Sequence, residues 1–208
     1  MFLALSAVAA RAEDFSAHAG DLSLRVAAAG VLFDSGAKFK LAGQSLPGAN
    51  LHLTDAATVV AEFGYFVTPD VSVTLTVGVP PEATAQGRGL LQGAGDLGKL
   101  RYGPVALLAN YNFNQFGRIK PWVGVGPAVF LVFSAKDGAV QNLHVDDHLG
   151  VAFQAGGEYR FNRRYGLYGS VTKALLTTNG HGDFGGFPAS AKVDLNPVVI
   201  QGGVTFHF

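Results

Sequence analysis

The chain has 208 residues, of which 49% are hydrophobic and only 14% are charged. A soluble domain usually carries about 25% charged residues, so much of this protein's surface need not face water. Lys and Arg together number 15, as do Asp and Glu, which leaves no net field to attract nucleic acid, and the absence of cysteine excludes disulfides and thiolate metal sites.

The chain opens with a short apolar stretch, Phe2 to Ala10, that is typical of a secretory signal peptide. Ala10-Arg11-Ala12 fits a small-x-small cleavage site. We therefore expect residues 1–12 to be a truncated signal peptide and residues 13–208 to form a single domain. The apolar stretch lacks a preceding Lys or Arg, which a start further upstream would supply; the alternative is an apolar N-terminal tail.

No segment has the pattern of a membrane-spanning helix. The longest apolar stretch, Pro121 to Phe133, is shorter than the ~20 residues that such a helix needs. It also contains Gly124, Gly126 and Pro127, which disfavour a helix. High apolar content without a spanning helix leaves two interpretations: an apolar soluble β-protein or a membrane β-barrel.

Eight segments rich in Val, Phe, Tyr and Thr are predicted to be strands. Most are near the ~9–11 residues with which a tilted strand crosses a bilayer, and several alternate between apolar and polar residues. The first and fifth are apolar on both faces, so their register stays open. The segments are Asp21–Phe33, Thr58–Val67, Val71–Val79, Val105–Phe113, Lys120–Phe133, Gly150–Phe161, Tyr165–Leu175 and Asp194–Phe208.

The connections between these segments alternate long and short through the whole chain. Thr68–Asp70 and Asn162–Arg164 are short, for example, whereas Asp34–Ala57 is long. Tight periplasmic turns and long external loops give this alternation in an up-and-down barrel, and a soluble sandwich has no reason to show it. We therefore predict an eight-stranded antiparallel up-and-down transmembrane β-barrel. The glycine-rich loops Ala85–Gly98 and Asn179–Gly186 are not expected to form a packed core.

Several stretches resemble the outer membrane protein W (OmpW) family. Asn110-Tyr111-Asn112-Phe113 followed by Lys120-Pro121-Trp122-Val123-Gly124-Val125-Gly126 is similar to the family's fourth and fifth strands. Asp147–Phe161 and Lys192–Phe208 resemble later strands. The resemblance implies a barrel of the Gram-negative outer membrane with a narrow apolar interior, associated with passage of small hydrophobic compounds. The external loops match no family pattern.

Aromatic residues cluster near the short-turn ends of the predicted strands. Rings with one polar edge favour the membrane interface, so they predict a periplasmic girdle; the alternative is the core of a soluble barrel. The terminal Phe208 resembles the C-terminal aromatic signal that the barrel assembly machinery reads. The girdle residues are Tyr65, Tyr111, Phe113, Trp122, Tyr159 and Phe161.

Five charged residues lie within the predicted strands. Arg or Lys facing lipid at the membrane midplane costs roughly 2–4 kcal/mol, so these side chains are expected to point into the lumen and to pair. There they would form either a polar constriction or a structural plug, and the sequence leaves both open. The five are Arg25, Glu62, Glu158, Arg160 and Lys173.

No catalytic or metal site is predicted. Ser134 and Ser170 have no His at a recognisable spacing for nucleophilic catalysis. Loop residues such as His144, Asp146 and His148 have suitable chemistry for a metal, but nothing fixes their geometry. We expect a protein that is not an enzyme and that has no cofactor.

The sequence thus favours passive passage of small hydrophobic solutes through an outer-membrane barrel. Its expected partners are outer-membrane lipids, such solutes and the barrel assembly machinery, with no nucleic acid. One alternative is a plugged structural or adhesion barrel that acts through its external loops. Another is a soluble lipocalin-like binder, which also has eight strands and an apolar cavity.

Overall fold

The structure, a computed structural model, describes residues 17–208, and the predicted signal peptide lies outside this part of the chain. Within these residues, no helix has the length and apolar character that crossing a membrane demands. Strands dominate, joined by tight turns and two short 3-10 helices. The strands are β1 (Leu22–Leu32), β2 (Gly36–Leu41), β3 (Gln44–Ser45), β4 (Ala49–Leu53), β5 (Ala56–Phe66), β6 (Val71–Gly78), β7 (Glu82–Gly89), β8 (Asp96–Asn112), β9 (Ile119–Asp137), β10 (Val140–Val145), β11 (His148–Arg160), β12 (Tyr165–Leu175), β13 (Thr177–Phe184), β14 (Phe187–Asp194) and β15 (Val198–His207).

Eight of these strands close into an antiparallel barrel, which confirms the predicted fold. Around the barrel the order is β1, β5, β6, β8, β9, β11, β12 and β15, and β15 returns to pair with β1. Closure matters because no water is available in the hydrocarbon to satisfy an unpaired strand edge. Seven of the eight strands differ from the predicted segments by at most four residues at either end, whereas β8 begins nine residues earlier than predicted.

The barrel wall is apolar on its outer face and polar on much of its inner face, which is the reverse of a soluble barrel. Apolar side chains such as Val59, Phe63 and Leu167 point outward and are about half exposed. Polar side chains such as Glu62 and Thr205, in contrast, are fully buried inside. An apolar outer wall is stable against lipid and unfavourable against water, so the exposure pattern supports the membrane-embedded fold over the lipocalin-like alternative.

The long loops do not behave as predicted. They form a second sheet, in the order β10, β13, β14, β2 and β3, and β4 and β7 extend the barrel wall beyond β8. Leu91 and Leu97, inside the glycine-rich Ala85–Gly98 stretch, are buried in the main apolar cluster. The expectation that this stretch lacks a packed core is therefore wrong. Glycines here allow tight hairpins: Gly185 and Gly186 adopt positive φ at the β13–β14 turn.

Side chains of Asn and Thr hold the short turns at the opposite end. The Asn162 carboxamide oxygen accepts hydrogen bonds from the backbone N–H groups of Arg164 and Tyr165, at 2.8 and 2.9 Å. The Asn114 side chain donates to the Asp70 carboxylate at 2.8 Å and so links two neighbouring turns. These contacts make the short-turn end compact, as a periplasmic end should be.

Candidate functional site: the barrel interior

A carboxylate network crosses the middle of the barrel bore. The side chain of Glu62, on β5, is fully buried. Its carboxylate pairs with the Arg25 guanidinium at 3.3 Å and accepts hydrogen bonds from the amides of Gln154 at 3.0 Å and Gln201 at 2.6 Å. These partners come from β1, β11 and β15, so the network spans the bore. A buried charge requires such compensation, which explains why polar residues converge here.

Trp122 belongs to this network and not to the membrane-interface girdle, so its predicted position is wrong. Only 2% of its surface is exposed, inside the barrel. The Arg25 guanidinium lies 4.1 Å from the centre of a Trp122 ring, and the indole N–H donates to Gln154 at 3.1 Å. The ring occupies space left by Gly156, where an added Cβ would lie 2.4 Å from it. Trp122 thus helps to fill the bore.

A second charged cluster lies closer to the short-turn end. The Glu158 carboxylate contacts the imidazole of His207 at 2.7 Å and the guanidinium of Arg160 at 3.4 Å. All three side chains are buried. Together with the Glu62 network, this cluster leaves the lower bore filled with paired polar groups. Four of the five strand-embedded charges therefore lie inside and are paired, where the sequence placed them.

Lys173 does not lie in the lumen. It shares the outward row of β12 with Val171 and Leu175, which are about half exposed. Its ammonium donates to the Asn196 carbonyl at 2.8 Å, at the loop end of the barrel. Near the edge of the apolar band a long lysine side chain can reach polar groups, so the cost of charge in lipid does not force it inward.

The remaining girdle residues lie on the outer wall at the short-turn end. Tyr65, Tyr111, Tyr159 and Phe161 are about half exposed, and Phe113 is half-buried against Tyr111. Tyr159 and Phe161 also contact each other edge to face. These five rings therefore lie together on the outer wall, and their role as an interface belt stays a prediction.

Above the Glu62 network the bore contains an apolar cavity of about 70 Å³. Gln154 and Gln201 line its floor. Its roof is an aromatic layer made of Phe33, Tyr102 and Phe130. The Tyr102 ring lies 4.8 Å from that of Phe130 and 5.5 Å from that of Phe33, so the layer joins opposite sides of the barrel.

A second cavity of about 70 Å³ lies beyond this layer, inside the loop sheet. Aliphatic side chains dominate its lining, among them Leu53, Leu100 and Leu195. Leu100 is two residues from Tyr102 on the inward face of β8. Residues of both linings belong to one continuous buried apolar cluster. The aromatic layer therefore separates two apolar cavities whose linings pack in one cluster.

The barrel wall beside the lumen cavity has an irregular hydrogen-bond ladder. Pairing of β8 with β6 ends at Val105, and pairing with β7 resumes at Arg101. The gap contains Pro80, Pro81 and Pro104, which have no N–H to donate. A backbone bond from Tyr102 to the Pro81 carbonyl crosses it at 3.2 Å. Fewer ladder bonds hold the wall together here than along the neighbouring strands.

Two of the loop histidines, His144 and His181, lie next to each other. His144 and His181 are cross-strand partners, and the Asp146 carboxylate lies 3.5 and 3.8 Å from their Nε2 atoms. Among residues 17–208, no three His, Cys, Asp or Glu side chains are arranged to hold a metal ion.

A lipid-facing apolar wall, an interior of paired charges and a closed eight-strand ladder define an outer-membrane β-barrel. Residues 18–208 match the OmpW family, and the chain belongs to that family. It is 31% identical to outer membrane protein AlkL of Ectopseudomonas oleovorans over 80% of this chain and 72% of that protein.

Two further proteins extend the comparison. The dibenzothiophene metabolism operon protein PahQ of Pseudomonas aeruginosa is also 31% identical, over 84% of this chain and 82% of that protein. The crystal structure of OprG from Pseudomonas aeruginosa superposes with a TM-score of 0.86 at 22% identity, covering 93% of this chain and 98% of that one. The superposition shows a shared fold.

Proposed function

We propose that this protein gives small hydrophobic molecules passive passage across the outer membrane. The observation that carries the proposal is the pair of apolar cavities, one inside the barrel and one inside the loop sheet. An apolar solute gains about 25 cal/mol for each Å² that such a cavity removes from water. An ion finds nothing there to replace its hydration shell, so it is excluded.

The route begins at the external cavity and crosses the aromatic layer into the lumen cavity. Rotation of the Tyr102 or Phe33 side chain opens a passage through this layer. Straight passage to the periplasm ends at the Glu62 network, because an apolar solute cannot replace the hydrogen bonds among those buried groups. The solute leaves sideways into the bilayer through the proline-containing gap between β6, β7 and β8.

One relative supports this assignment. PahQ is named for dibenzothiophene metabolism, and dibenzothiophene is a small apolar aromatic compound. Passage requires no covalent chemistry, and in this proposal the protein is not an enzyme.

The test compares cells that carry the folded barrel with cells that lack it. We expect faster uptake of radiolabelled naphthalene with the barrel, and no rise in ion conductance when the purified protein is inserted into planar bilayers. Equal naphthalene uptake in the two strains would contradict the proposal. It would instead favour a plugged barrel that acts through its loop sheet.

Assembly in the membrane is proposed to depend on Phe208. Its ring is exposed at the end of β15, while its backbone N–H and carbonyl bond to Leu22 of β1 at 2.9 and 3.3 Å. Replacing Phe208 with alanine keeps these backbone bonds and removes only the ring. We expect this variant to give several-fold less heat-modifiable folded barrel in cells, whereas Phe208→Tyr retains the wild-type amount. Normal yield of the alanine variant would show that the machinery does not read the ring.

A further inference from the structure

Two pairs of lysines face each other across neighbouring strands outside the membrane. Lys99 on β8 is the direct partner of Lys136 on β9, and Lys38 on β2 is the direct partner of Lys192 on β14. All four side chains are exposed. Like charges directly opposite each other destabilise a sheet, so an anion placed between the two ammonium groups stabilises such a pair.

The first pair is compensated within the protein. One carboxylate oxygen of Glu82 lies 3.9 Å from the Lys99 ammonium, and the other lies 3.7 Å from the Lys136 ammonium. A single acidic side chain thus bridges both lysines. The fold therefore contains an internal example of what such a pair requires.

Within residues 17–208, no carboxylate bridges the second pair as Glu82 bridges the first. Asp194 lies one row along the same face of β14, opposite Gly36, and its carboxylate accepts a hydrogen bond from the Thr177 hydroxyl at 2.8 Å and forms no ion pair with either lysine. Lys40 adds a third positive charge one row further along the same face, opposite Ser190. Among the described residues, none of these three lysines takes part in an ion pair.

The position of these lysines indicates where the anion comes from. Their chain neighbours Phe39 and Val193 line the external cavity, so the lysines point to the opposite, outer face of the loop sheet. Lys38 comes six residues after Leu32, the last outward apolar residue of β1. At about 3.3 Å per residue it lies at most roughly 20 Å beyond the apolar band. An outer leaflet of lipopolysaccharide carries its phosphorylated sugars within such a distance of its hydrocarbon.

We propose that Lys38, Lys192 and Lys40 form a binding surface for the phosphate groups of lipopolysaccharide. The phosphate takes the place that Glu82 occupies between Lys99 and Lys136. Binding at this surface ties the loop sheet, and with it the roof of the external cavity, to the surrounding lipid layer.

The experiment compares two double variants that lose the same charge. Lys38→Gln/Lys192→Gln removes the uncompensated pair, and Lys99→Gln/Lys136→Gln removes the pair that Glu82 bridges. Each folded protein, in nanodiscs of neutral lipid and checked by heat-modifiable migration, is titrated with phosphorylated lipopolysaccharide and with its enzymatically dephosphorylated form. We expect the first variant to bind phosphorylated lipopolysaccharide roughly 10- to 30-fold more weakly than wild type and the second to bind as wild type does.

Each other outcome overturns the proposal. Equal weakening in both variants would show a response to net charge alone. Undiminished binding by the first variant, or equal binding of the dephosphorylated form, would exclude a phosphate site at these lysines. Competition by millimolar inorganic phosphate that equals the competition by lipopolysaccharide would show a site for free anions and not for a membrane lipid.

Discussion

Replacing Glu62 with alanine is expected to lower the free energy of unfolding by about 3–5 kcal/mol. The substitution leaves the Arg25 guanidinium buried without its carboxylate and removes the acceptor for Gln154 and Gln201. Urea unfolding of the barrel in lipid vesicles measures this change. The fluorescence of Trp122 reports it directly, because Trp122 is the only tryptophan and stacks on Arg25.

A double variant separates the loss of an ion pair from the loss of packing. Arg25→Met/Glu62→Leu removes both charges and keeps most of the volume. We expect it to recover the stability that Glu62→Ala loses through the unpaired Arg25, whereas the amides of Gln154 and Gln201 still lack their acceptor. A Glu62→Ala protein that unfolds within about 0.5 kcal/mol of wild type, which is the size of an ordinary surface substitution, would contradict a structural role for the network.

Replacing Ala128 with aspartate is expected to abolish the naphthalene uptake that the barrel provides. Ala128 lies on β9, is 5% exposed and lines the lumen cavity. A carboxylate there holds water in the cavity, and an apolar solute must then displace that water at a cost that its own burial does not recover. Uptake rate is measured at matched amounts of folded protein, judged by heat-modifiable migration.

Ala128→Val is the matched control, since valine is close to aspartate in volume and remains apolar. It is expected to retain uptake. Ala128→Asn, which is polar without a charge, provides a second variant if the aspartate prevents folding. Unchanged uptake in both polar variants would place the solute's route outside the lumen cavity.

The strands and their closure were predictable because lipid and the barrel interior impose different chemistry on alternate residues. Val71–Val79 shows this pattern, and β6 forms within it. The fifth segment, Lys120–Phe133, is apolar on both faces because its inner residues line an apolar cavity while its outer ones meet lipid. The sequence alone therefore does not determine its register, and it predicts an interface position for Trp122, near a short turn, although the ring points inward.

The upper part of the site was not predictable for a different reason. Tyr102 lies before the predicted start of its strand at Val105, in a stretch interpreted as a loop. β8 begins at Asp96, because pairing with β7 and β9 extends it beyond the membrane. The aromatic layer and the external cavity depend on this long-range pairing, which local composition does not reveal. Lys173 points outward and not into the lumen as predicted, because a charged side chain at the membrane edge can reach polar groups.

The pairing of β15 with β1 sets the order of events in biogenesis. Leu24 is the partner of Phe206, so the first and last strands of the barrel complete each other. Neither edge can be covered before β15 has been synthesised. Until then the apolar outer wall is not covered by lipid, and the Glu62 carboxylate lacks its hydrogen bond from Gln201. The polypeptide must therefore cross the periplasm in an incomplete state, shielded from aggregation, and insert only when its C-terminal strand has arrived.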